Sequence, residues 1–132
     1  MSNLRVAKLA IKNANLETLT RAVQTLANLL GMQVVNSVDI YGGRIVKVAV
    51  GLKGAALPSG IGFDIEEGQL VSKGDSWRYE NEYSRVETLL RQTYGYEASK
   101  TALMTKGYMV QTPMVKVFGN KFQAVLEGVR SW

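Results

Sequence analysis

"SGIGFDIEEGQLVSKGDSW", Ser59–Trp77, is the stretch on which the fold turns, because three different structures compete for it. Its glycines suggest a phosphate-cradling loop. Its carboxylates, Asp64, Glu66, Glu67 and Asp75, suggest a metal-binding acidic loop. Its alternation suggests two strands and a turn. A phosphate loop places glycines between a strand and a helix, so that amides at the helix start face the anion. Here a strand-like run, "QLVSK", follows instead. A calcium loop spaces oxygen ligands at alternating positions about a central glycine. Glu67-Gly68 breaks that spacing, and no closing carboxylate follows in register. What remains is period two: Ile61, Phe63 and Ile65 alternate with Gly62, Asp64 and Glu66, the pattern of a half-buried strand. Glu67-Gly68 is then a turn, and Asp64 and Glu66 are carboxylates on one strand face.

Outward from this hairpin, the period changes twice. Towards the N-terminus, "RIVKVAV" and "MQVVNSVDIY" read as strands, with Val46, Val48 and Val50 on one face and Val34, Val38 and Ile40 on another. Gly42-Gly43 joins them in a tight turn. "GLKGAALPSG" reads as a loop. Before these, Leu16, Leu19, Val23, Leu26 and Leu30 share a helical face, with Asn15 as N-cap, Glu17 in the first turn and Gly31 just past the end. "LRVAKLAI" opens the chain as a strand.

Towards the C-terminus, Tyr83, Val86, Leu90 and Tyr94 restore the helical period. Glu82–Arg85 and Glu87–Arg91 read as pairs on the outer helix face. Gly95 weakens or bends this helix, so "EASKTALMTKG" reads as a second helical piece. Two last strands flank Gly119-Asn120, with Phe122, Ala124 and Leu126 on the buried face and Pro113 marking an edge or bulge. The predicted order is β-α-β-β-β-β-α-α-β-β, an α+β fold with a largely antiparallel sheet and helices packed on one face, in one domain over residues 1–132.

Composition narrows the chemistry. The 132 residues include no cysteine and no histidine. Disulfides, thiol chemistry and cysteine-ligated metals are excluded, as is a Ser-His-Asp triad. No bound cofactor or metal is expected. No apolar leader and no run of 18 apolar residues occurs, so the expected place is the cytoplasm or an equivalent compartment, with no membrane partner. The net charge of +5 comes from scattered lysines and arginines, the pattern of a solvated mixed surface rather than a nucleic-acid footprint.

The order of short motifs resembles a known family. "MSN", "IYGGR", "GIGFDI", "KGDSW", "RQTYGYEASKTALMTKGY" and "FGNKFQAVLEGVRSW" follow one another along essentially the whole chain. In that order they resemble a small plastid, cyanobacterial and phage family of a conserved chloroplast reading frame of unknown function (domain of unknown function 1257). Two departures stand out: the family's early His is Asn3, and its Asp before Ile-Gly-Phe is Gly60. The family has no established activity. Its genes often lie near those of a ferredoxin-like protein and an ATPase of the AAA type, so the resemblance implies a part in an assembly.

Three functions compete. The leading one is a small soluble, non-catalytic interaction module, as a homodimer or within a larger assembly with an unknown protein partner. Its candidate surface is Trp77, Arg78, Tyr79, Tyr83, Arg85 and Trp132, amphipathic aromatics and cations at element boundaries. The structural counterpart for Trp77 is a lid on an open end of the core. The alternative is a nucleic-acid-binding protein with a dispersed basic surface and aromatic stacking. The third is an enzyme using Asp64, Glu66 and Asp75, for which nothing nearby perturbs the acids.

Overall fold

A computed structural model describes residues 4–130. Its elements are β1 (Arg5–Lys8), α1 (Leu16–Leu30), β2 (Gln33–Ile40), β3 (Arg44–Gly54), β4 (Leu57–Glu66), β5 (Gln69–Gly74), α2 (Glu80–Thr105), β6 (Tyr108–Phe118) and β7 (Lys121–Arg130). The fold is α+β and every strand pair is antiparallel. The first five strands form one sheet in the order β1-β5-β4-β3-β2, and β6 and β7 form a second.

The quoted stretch is β4, the turn Glu67-Gly68 and β5. Glu66 pairs with Gln69 across that turn, and Asp64 pairs with Val71. Ile61, Phe63 and Leu70 are buried. They meet Leu19, Val23 and Leu26 of α1 and Val86, Leu89 and Leu90 of α2, so both helices cover the same face of the sheet. Helix α1 starts and stops as its sequence dictates. Asn15 Oδ1 accepts the Thr18 N–H at 3.0 Å, and Gly31 ends the helix in the left-handed region. Leu16 departs from the predicted stripe and stays 55% exposed.

Two local expectations are corrected. The stretch read as a loop, "GLKGAALPSG", is strand on both sides of a tight turn at Ala55-Ala56. Gly51 belongs to the sheet, where a Cβ would meet the Ile61 carbonyl oxygen at 2.6 Å; close packing, not turning, requires glycine there. The two helical pieces after Trp77 are one helix. Gly95 lies on its exposed side, while Tyr94 and Tyr96 hold the backbone from buried positions on either side. That anchoring outweighs glycine's cost of about 1 kcal/mol.

The sheet is bent by bulges. Val35 pairs with Gly51 but Ser37 pairs with Lys47, so β3 carries two residues more than β2 between these pairs. The Ala49 N–H in this bulge donates to Asp64 Oδ1 at 2.7 Å. Within the bulge Val48 fills the space beside Gly62, and past it Val38 lies against Gly60. Val38, Ile40 and Val48 form a second small core there. The bend brings the β2–β3 turn to the end of β5, where the candidate site lies.

Candidate functional site

The connection from β5 to α2 is five residues, 75–79, and Asp75 winds it. Asp75 is buried; its Oδ1 accepts the Trp77 N–H at 3.2 Å and its Oδ2 accepts the Tyr41 N–H at 3.0 Å. One carboxylate therefore ties the connection to the β2–β3 turn. The Tyr79 N–H donates to Ser76 O at 2.8 Å and tightens the connection further. Between these bonds Arg78 is forced into the left-handed region, with φ 69°.

This geometry turns Trp77 outward. It is 43% exposed, not a lid on the core. The Arg78 guanidinium lies 4.3 Å from the centre of its ring, and the Tyr41 ring meets it edge-on at 6.2 Å. Tyr79 is exposed beside it, and with Ser59 these residues line a cleft of about 240 Å³. The cleft offers aromatic faces and a guanidinium for contact. Amides already engage both oxygens of its carboxylate.

The remaining expected site residues lie elsewhere. Tyr83 is core: it is 2% exposed, and its hydroxyl donates to Gly60 O at 2.5 Å. It occupies the space beside Gly74, where a Cβ would overlap the hydroxyl. Burial holds the Tyr83 phenol well above its ordinary pKa, and the charge of Asp75 adds to that. Arg85 belongs to the scaffold. It pairs with Glu82 at 2.7 Å, and its Nε–H donates to Gly119 O at 2.9 Å, which fixes the β6–β7 turn on α2. Trp132 lies outside the described residues.

The acids read as strand-face carboxylates share a cation. Lys73 Nζ lies 3.1 Å from Asp64 and 2.6 Å from Glu66. The hydrogen bond that Lys73 donates to Glu66, more than the one to Asp64, holds the Lys73 pKa above its ordinary value. With Asp64 also capping the β3 bulge, this pair supports the sheet. Among the described residues no group of three or more Asp or Glu side chains is placed to hold a metal ion. No helix among them is long and apolar enough to cross a membrane.

Glu87 overturns its expected role. It does not pair with Arg91 on the outer face; it is buried under the sheet. Arg5 grips it with two nitrogens, at 2.6 and 3.2 Å, and the buried Ser72 hydroxyl donates to the same carboxylate. The bond to Glu87 in turn raises the Arg5 pKa. Position 87 follows Tyr83 by one helical turn, so the apolar stripe itself carried the signal that this carboxylate faces inward. Glu97 is similarly buried, accepting from Thr25 Oγ1 at 2.9 Å and lying 3.2 Å from Lys100. Tyr41, which completes the aromatic cluster, carried no local signal beyond its place before a turn. No family model, curated protein or solved structure matches the chain.

Proposed function

We propose that the chain is a small non-catalytic interaction module of the cytoplasm, and that Trp77, Arg78, Tyr79 and Tyr41 are its contact surface for a protein partner. One observation carries this reading: a tryptophan is held 43% exposed, under a guanidinium, by a backbone that puts Arg78 at φ 69°. Strained backbone next to an ordered exposed aromatic is a feature of contact sites. We further propose, on the order of its motifs, that the chain belongs with the plastid, cyanobacterial and phage family it resembles, and serves an assembly as that resemblance implies.

The test pairs two measurements on Trp77→Ala. Partner binding should weaken by roughly 2 kcal/mol or more, the effect of an interface anchor. Chemical denaturation should shift far less than the 3–5 kcal/mol expected for a large buried aromatic. Unchanged binding with a full core-sized stability loss would reduce the cluster to scaffold. A second reading, single-stranded nucleic acid, draws on the same Arg78–Trp77 stack. It requires oligonucleotide affinity that falls steeply with salt and is lost in Trp77→Ala.

A further inference from the structure

The β6–β7 hairpin pairs only with itself among the described residues, so each strand presents an outer edge. Such an edge is a template for another strand. The β6 edge is interrupted. Between the pairs Gln111–Glu127 and Met114–Val125 it bulges at Thr112-Pro113, and Pro113 has no N–H to offer. Strand β7 runs from Lys121 to Arg130 without a proline. Phe118 and Lys121 pair across the two-residue turn, so Lys121, Gln123 and Val125 turn their backbone groups towards β6. Phe122, Ala124 and Leu126 turn theirs outward. Phe122 shows this directly, donating its N–H to Gln92 Oε1 at 2.6 Å. Beyond that bond the edge borders an open groove of about 400 Å³, walled on the far side by Gly95, Tyr96 and Ser99 of α2.

We propose that β7 pairs antiparallel with β7 of a second copy of this chain, across a two-fold axis at Ala124. The side chains select that register. Centred on Ala124, Lys121 faces Glu127 of the second copy and Glu127 faces its Lys121, while Phe122 faces Leu126. The outward-directed residues then meet one another, as the antiparallel alternation demands. Centring one residue earlier or later sets Lys121 against Val125 or Val129 and leaves the charges unmatched. The two bonds between the Ala124 residues form clear of Gln92, and at each end the Leu126 N–H reaches Phe122 C=O while the Leu126 C=O takes the place of Gln92 Oε1 on the Phe122 N–H. The other open edges lack this match. Strand β1 has only four residues, and the one ionisable residue of β2, Asp39, finds no cation in a self-pairing. This surface is separate from the Trp77 cluster and stands or falls without it.

The test exploits the absence of cysteine. Ala124→Cys places the only thiol on the axis, where paired Cα atoms lie about 5.5 Å apart, within disulfide reach. Mild oxidation should give a covalent dimer, and Lys116→Cys on β6 should give none. In sedimentation equilibrium, Lys121→Glu or Glu127→Lys should weaken dimerisation roughly tenfold or more, because each reversal sets like charges opposite each other at two places. The double exchange should restore it. A monomer mass at every concentration overturns the proposal. So does association that single reversals leave unchanged, or that the double exchange fails to restore.

Discussion

The five-stranded half and the terminal hairpin of this molecule use apolar residues in opposite ways. In the first, α1, α2 and the inner strands enclose Leu19, Leu26, Ile61, Phe63, Leu89 and Leu90 completely. In the second, Val117 and Phe122 are the residues that reach that core, and only partly. Met109, Val125 and Val129 stand 58%, 38% and 43% exposed. The hairpin is fastened at its turn end, where Arg85 donates to Gly119 O and Gln92 bonds both Asn120 O and the Phe122 N–H. A two-stranded hairpin alone is marginal in water. The contrast teaches that stability is concentrated in one half, while the other keeps an edge and an apolar surface for contact.

Substitution in the core should show the largest effect. Phe63→Ala should cost about 3–5 kcal/mol, read as a denaturation midpoint, because a fully buried aromatic leaves a cavity. A loss below about 1 kcal/mol would mean that this half is not the stable one. Glu87→Ala should follow at about 1–3 kcal/mol, since Ser72 loses its buried acceptor and Arg5 loses the clamp between β1 and α2. Glu87→Gln, which keeps an acceptor, should recover part of it; no difference between the two variants would show that packing rather than the polar bonds matters.

A smaller effect separates the halves. Gln92→Ala removes the two bonds that fasten the hairpin turn. Amide exchange in β6 and β7 should accelerate by the equivalent of about 1 kcal/mol, while protection of β4 and β5 stays unchanged. If protection falls equally in both halves, the hairpin belongs to the same cooperative unit, and the comparison breaks.

What the sequence disclosed follows the same division. Local signals were legible: the Asn15 cap, Gly31, the turns at Glu67-Gly68 and Gly119-Asn120, and the inward Ile61 and Phe63. Each depends on residues a few positions apart. The bond between Arg5 and Glu87 spans 82 positions, and nothing local announces it. Tyr41 and Trp77 meet from separate elements, and nothing local announces that contact either. For the site, Trp77, Arg78 and Tyr79 were legible as aromatics and a cation between a strand and a helix. Tyr83 was misplaced because a tyrosine near a helix start looks amphipathic, although its spacing to Val86 and Leu90 already put it on the apolar stripe. Gly74, whose missing side chain leaves room for the Tyr83 hydroxyl, identifies itself only in three dimensions.

Arg78→Gly gives the smallest stability change and the sharpest separation of stability from contact. Arginine at φ 69° is strained, and glycine adopts that backbone freely. Against this relief stand the larger entropy that glycine loses on folding, and the loss of an exposed guanidinium–indole contact worth about 0.5–1 kcal/mol. These terms nearly cancel, so the midpoint should move by no more than about 0.5 kcal/mol. Partner affinity should still fall, because the cation over Trp77 is gone and the ring is no longer held in one orientation. A drop in stability above about 1 kcal/mol would show that the stack supports the fold. Unchanged stability with unchanged affinity would leave the strain at Arg78 without a function, and would move the contact surface to the hairpin edge.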